Sequence, residues 1–158
     1  MSNFKSIDAL LRYAQNQVNE ALKSEVAPIV EQTLAEKIDE NVYQSYMPTT
    51  YQRRGELGNP ANIQSELIDD GKLFTKDVAA PSPSVTGAGY SGSDTAFSQW
   101  IDQGLVPNIF TSSEAPWQAP AMFYAETEEQ LKKSHAVQKA LKRGLAKKGI
   151  KTTVTVGK

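Results

Sequence analysis

The sequence predicts an α+β fold with a long N-terminal helix, a small antiparallel sheet and a basic C-terminal helix. Three observations carry that reading. Apolar residues recur every three or four positions from Phe4 to about Tyr46, the period changes to alternation around an Asp-Gly dipeptide near residue 70, and a capped, lysine-rich segment closes the chain.

The first helix is drawn by Ile7, Leu10, Leu11, Ala14, Val18, Ala21, Leu22, Ile29, Val30, Leu34, Ile38 and Val42, which form one stripe. Pro28 falls inside it. A missing N–H and a clash with the preceding turn should kink the helix there or divide it, with the break just before Pro28. A stripe of this length, backed by Glu, Gln and Asn, is more than a small domain can cover, so part of it is expected to meet another chain.

In "NIQSELIDDGKLFTKDVA", Ile63, Ser65 and Leu67 alternate on one side of "DDGK" and Leu73, Thr75 and Asp77 on the other, the pattern of a β-hairpin. "AAPSPSVTGAGYSGSDT" then reads as a mobile surface loop over residues 79–96, because its prolines and glycines hold neither helix nor core. "DTAFSQWIDQG" suggests a short helix with Asp94 as N-cap, Phe97, Trp100 and Ile101 inward and Gly104 past its end. "VPNIF" suggests a further strand. Thr127 followed by Gln130 suggests a capping box opening a helix that runs to about Lys148 and stops at Gly149. "TTVTV" in residues 151–158 alternates as a strand or tail able to pair with a sheet edge.

Length and composition fit a single globular domain over residues 1–158, with no apolar run long enough to cross a bilayer. The N-terminus lacks the pattern of a secretory leader, so assembly inside the cell is expected. The absence of cysteine excludes disulfides, thiolate metal sites and a cysteine nucleophile. A net charge of −1 conceals an asymmetry: residues 1–130 hold all 18 acidic groups and 8 basic ones, a balance of −10, whereas residues 131–158 carry 9 basic groups and no acid. Copies could attract one another head to tail through these ends, or the basic end could face something acidic.

The chemistry of an enzyme is hard to assemble from these residues. "GAGYSG", Gly87 to Gly92, has dinucleotide-loop spacing, but prolines precede it where a buried strand belongs, so a loop is the better reading. His135, the only histidine, sits among Lys132, Lys133 and Lys139 with no orienting carboxylate, which suits a surface or interface position rather than a triad. Asp69 and Asp70 belong to the hairpin turn, and no metal or cofactor is assigned. A helix with lysines around its circumference and no aromatic platform suits diffuse contact with DNA rather than sequence reading.

Taken in order, "VYQSYMPTTYQRRGELGNPANI", the hairpin, "WIDQG" and "APAMFYAETEEQLKK" resemble the neck and tail-completion proteins of tailed bacteriophages. The resemblance lies in a long helix, a Tyr-Arg-Arg-Gly turn, a small sheet, an Ile-x-x-Gly step and a proline- and phenylalanine-bearing entry to the last helix, and it spans about Val42 to Gly149. "LGNPAN" and the run Ala119 to Phe123 depart from the family's usual steps. The resemblance implies a non-enzymatic virion component assembled in the host cytoplasm, a homo-hexameric or dodecameric ring joining the portal side of the head to the tail. Its implied partners are other neck, portal-side and tail-tube proteins, with no membrane. A tail terminator capping the tube is the nearest alternative. A nucleic-acid-binding accessory protein using the basic helix and a small enzyme using the glycine loop stand further off.

On this reading Tyr51, Arg53 and Arg54 lock an interface, since arginine makes bidentate contacts to carboxylates and stacks on rings. Trp100, Trp117 and Phe123 are the aromatic candidates for the same role. Lys132, Lys133, Lys139, Lys142, Arg143, Lys147 and Lys148 are candidates for a DNA channel or an interface.

Overall fold

The computed structural model describes residues 6–45, 55–79, 94–104 and 120–153. Within these the fold is α+β, as expected. Helix α1 (Ile7–Ala21) continues through a π-helical turn (Leu22–Val26) into α2 (Ala27–Ile38) and a second π turn (Asp39–Tyr43). Strands β1 (Ile63–Asp69) and β2 (Lys72–Asp77) pair as a two-stranded antiparallel sheet. Helices α3 (Asp94–Gln103), α4 (Phe123–Ser134) and α5 (Ala136–Lys147) follow. The chain forms two compact units: one of Met1–Val30, Ser65–Thr75 and Leu131–Lys158, the other of Glu31–Gln64 and Lys76–Gln130.

Ser6 caps α1, its hydroxyl accepting from the Ala9 amide at 3.2 Å, and Asp8 complements the first turn. The helix is not divided at Pro28. The adjustment lies just before it, where the Ala27 amide reaches past the usual partner to the Leu22 carbonyl. This solves a spacing problem written in the sequence. Core-facing positions fall four apart in each unit, at buried Leu22 and Val26 and half-buried Val30 in the first and at buried Leu34, Ile38 and Val42 in the second. In a plain α-helix each such step carries the side chain about 40° further round the axis. One wider π turn in each unit takes back part of that drift and holds the stripe on its core.

The first unit's core joins Leu22, Val26 and Ala140 to Val18, Ile29, Val30, Leu67, Leu73, Val137 and Leu141. The hairpin enters it by the predicted face. The hydroxyls of Ser65 and Thr75 lie 2.7 Å apart and fix the register, Leu67 and Leu73 face the core, and Gly71 turns the tip at φ +78°. Asn19 of α1 holds that tip, donating to Asp70 at 3.0 Å and accepting from the Gly71 amide at 2.9 Å.

In the second unit, Leu34, Ile38, Val42, Leu57, Ile63, Ala79 and Phe123 form the core, and a carboxylate, Asp77, is buried in the same unit. Asp77 accepts from the amides of Gly58 at 2.6 Å and Ala79 at 2.7 Å. Its own amide donates to the Tyr124 hydroxyl at 3.3 Å, and its carbonyl accepts from Ser98 at 3.0 Å. Burial pushes the Asp77 carboxyl up, and the two amides oppose the shift. Gly58 sits at φ +74°, where an added Cβ would lie 2.8 Å from Ile38 Cγ2, so glycine alone lets this loop approach the helix and present its amide.

Several expectations for the C-terminal half need correction. Thr127 does not open a capping box: α4 begins at Phe123, and Thr127 lies inside it, donating to the Phe123 carbonyl at 2.7 Å. The cap comes from another element, as Asp102 of α3 accepts from the Tyr124 amide at 2.9 Å. The single helix expected to Lys148 breaks at His135, which is left-handed at φ +54°. Ser134 makes the break possible by donating to the Leu131 carbonyl and accepting from the Ala136 amide, a local alternative to continued helix. Gly149 ends α5 as predicted: its amide bonds the Ala146 carbonyl at 2.9 Å and the Ile150 amide bonds Leu145 at 3.0 Å. In α3, Phe97, Trp100 and Ile101 are half-buried, Ile101 packs against the core as expected, and among the described side chains of this helix Ser98 is wholly buried. Residues 151–153 form no strand. The 79–96 loop (beyond its ends), the "VPNIF" strand and residues 154–158 lie outside the described residues.

Removing the buried acceptor should loosen the second unit. Asp77→Ala leaves the Gly58 and Ala79 amides unpaired and is expected to cost about 1–3 kcal/mol per orphaned group, measured as a fall in the urea midpoint with unchanged slope.

Candidate assembly surface

The stripe on α1 is covered only in its second half. Ile7 is 75% exposed, Leu10 45% and Leu11 61%, whereas Leu22 and Val26 four turns on are buried. The outward face of the hairpin adds Ile68 at 61% and Phe74 at 39%. Isolated apolar residues on a surface are ordinary, but several on one helical face make this face a candidate interaction surface.

The covered half is covered by the inward face of the hairpin and by α5. Gly144 meets α1 so closely that an added Cβ would lie 2.8 Å from the Ala21 Cβ and 3.0 Å from Glu25 Cγ. The π turn presents Glu25 to this helix. The carboxylate, only 14% exposed, accepts from Lys147 Nζ at 2.7 Å and Arg143 Nε at 3.0 Å, and Lys148 pairs with Glu20 one turn earlier. Hydrogen bonds from Lys147 and then Arg143 hold the Glu25 carboxyl below the usual glutamate range.

Three of the seven basic candidates for a DNA channel, Arg143, Lys147 and Lys148, are therefore engaged with acids of their own chain. Lys139 donates to the Ser134 carbonyl at 3.0 Å, and Lys132, Lys133 and Lys142 are exposed. Among the interface candidates, Trp100 is half-buried on α3. Phe123 is corrected: it is wholly buried in the second unit's core, 4.8 Å from the Tyr124 ring, and serves packing there. Tyr51, Arg53, Arg54 and Trp117 lie outside the described residues. The structure thus brings together the predicted basic residues of α5 with Glu20 and Glu25, which sequence reasoning left unassigned. Glu25 with Arg143 and Lys147 was invisible because 118 residues separate the first two. Among the described residues no cluster of His, Asp or Glu could hold a metal ion, and no helix is long and apolar enough to cross a membrane.

An acid whose folded-state value is lowered contributes stability above its unfolded range, lost as the pH falls through the folded value. Asp77, with a raised value, has the opposite sign and weakens as the pH rises. Acidification below about pH 4 should therefore release α5 selectively, read as lower amide protection factors (observed against intrinsic exchange at the same pH) at Ala140 to Leu145; Glu25→Gln should show lower protection at neutral pH and a smaller further loss in acid.

Against known proteins, no curated protein and no solved structure matches the chain. A family model, YomN, matches residues 3–147, and that family is phage-associated. With nearly the whole length matched, the chain belongs to the YomN family.

Proposed function

We propose that the protein is a structural, non-enzymatic component of a phage particle, a ring-forming neck or tail-completion protein that joins the portal side of the head to the tail. The observation that carries the proposal is the uncovered apolar half of α1. A chain in a phage-associated family leaves Ile7, Leu10 and Leu11 in water on a helix whose stripe is buried only from Ala21 onward, as a subunit does when its neighbour supplies the cover. The order of motifs from Val42 to Gly149 supports the placement at the neck, with Tyr51, Arg53 and Arg54 assigned to locking an interface. The ion pairs of Arg143, Lys147 and Lys148 with Glu25 and Glu20 favour a structural use of α5 over a dedicated nucleic-acid surface.

Light scattering at low and physiological salt, followed by negative-stain imaging, tests this. The wild type is expected to form closed rings at high concentration, and Leu11→Asp, which leaves the cores untouched, should reduce it to monomer at every concentration. Arg53→Ala with Arg54→Ala should impair ring assembly or the joining of head to tail. A wild type that stays monomeric and binds duplex DNA with steep salt dependence would replace this reading with the accessory DNA-binding one.

A further inference from the structure

We propose that the uncovered face of α1 in one copy seats on the outward face of the β1–β2 hairpin in a second copy, a contact that rests on the self-assembly proposed above and names its two sides. The first unit leaves two apolar patches uncovered on separate elements. One is Ile7, Leu10 and Leu11; the other is Ile68 and Phe74. Alternation along the strands sets the second patch on the face opposite Leu67 and Leu73, which pack with Val18 and Leu22, so the hairpin cannot cover both its own core and its own back.

The two patches match in scale. With Ser65 opposite Thr75, Ile68 and Phe74 are diagonal neighbours across the strands, a separation of about 7–8 Å. Ile7 and Leu11, one helical turn apart, are spaced by about 5–6 Å. A helix laid across the hairpin can thus place one large side chain beside each of the two on the strands. The charges around them also complement. Asp8 and Arg12 border the α1 patch, and Lys72 and Glu66 lie on the outward side of the hairpin. Lys72 is 67% exposed and bonds Asp69 across open surface at 3.1 Å, a weak pair that can exchange its partner.

Pairing α1 with α1 about a two-fold axis would leave Ile68 and Phe74 in water in every copy. The α1-to-hairpin contact covers both patches at once, and because its two sides differ it propagates from copy to copy and closes into a ring when the rotation allows.

The chain contains no cysteine, which makes a direct test simple. Leu11→Cys and Phe74→Cys, both at exposed positions, are prepared separately with tags of different mass, mixed and mildly oxidised. The expected product is the mixed disulfide, several-fold over either like-with-like product, and the doubly substituted chain should give a ladder of covalent oligomers. In parallel, Ile68→Glu should lower the mass of the assembly as Leu11→Asp does. Rings that form while only Leu11→Cys links to itself, or that keep their mass in Ile68→Glu, overturn the hairpin contact and leave the ring reading in place. Monomers throughout, with no cross-link at any concentration, overturn both.

Discussion

Pro28 has no amide hydrogen to offer the carbonyl of Ser24, yet the helix runs through it, and the arrangement of the first unit follows from how that conflict is resolved. The chain widens into a π turn immediately upstream. Widening keeps Leu22, Val26 and Val30 on one face and turns Glu25 toward α5. There the carboxylate meets Lys147 and Arg143, while the missing side chain of Gly144 lets the two helices close on Ala21. Neither contact would survive a larger residue at 144, since packed helices have no slack for an extra methyl at 2.8 Å.

The second unit is organised by a buried charge in place of a charged clamp. Asp77 sits where β2 ends, and one side chain satisfies two backbone amides that no strand or helix could reach. The cost is desolvation, visible in the upward push on its carboxyl, and the return is definition: Gly58, Ala79, Ser98 and Tyr124 are all placed by bonds to this one residue. Asp102 acts in the same manner one element later by capping α4 from outside its own helix. Both devices use an acid near a loop to fix backbone that regular hydrogen bonding leaves unpaired.

Which parts of this could be read from the sequence follows from how local each cause is. The helix, the hairpin and its inward face, and the Gly149 stop rest on neighbours within a few residues, and all were legible. The π turns left a trace in the four-residue spacing of Leu34, Ile38 and Val42, which reads as ordinary helix unless the drift is counted. Thr127 misled because its apparent capping box is a local pattern overridden by Asp102, a distant acceptor. The break at His135 carries no glycine or proline, only a serine whose hydroxyl can replace two helical bonds. Phe123 looked available for an interface because aromatic content says nothing about which side of a chain a residue will face.

The exposed half of α1 also bears on how tightly copies could hold one another. Covering a large aliphatic side chain yields about 1.5–3 kcal/mol, and Ile7, Leu10 and Leu11 begin only partly exposed. Bringing two proteins together costs about 4–15 kcal/mol in lost freedom of motion. A single contact through this face is then near balance, and an isolated pair would be short-lived. In a closed ring each copy makes the contact twice, once through α1 and once through the surface that receives its neighbour, while being immobilised once. Assembly through such a face would therefore depend steeply on how many copies are gathered in one place.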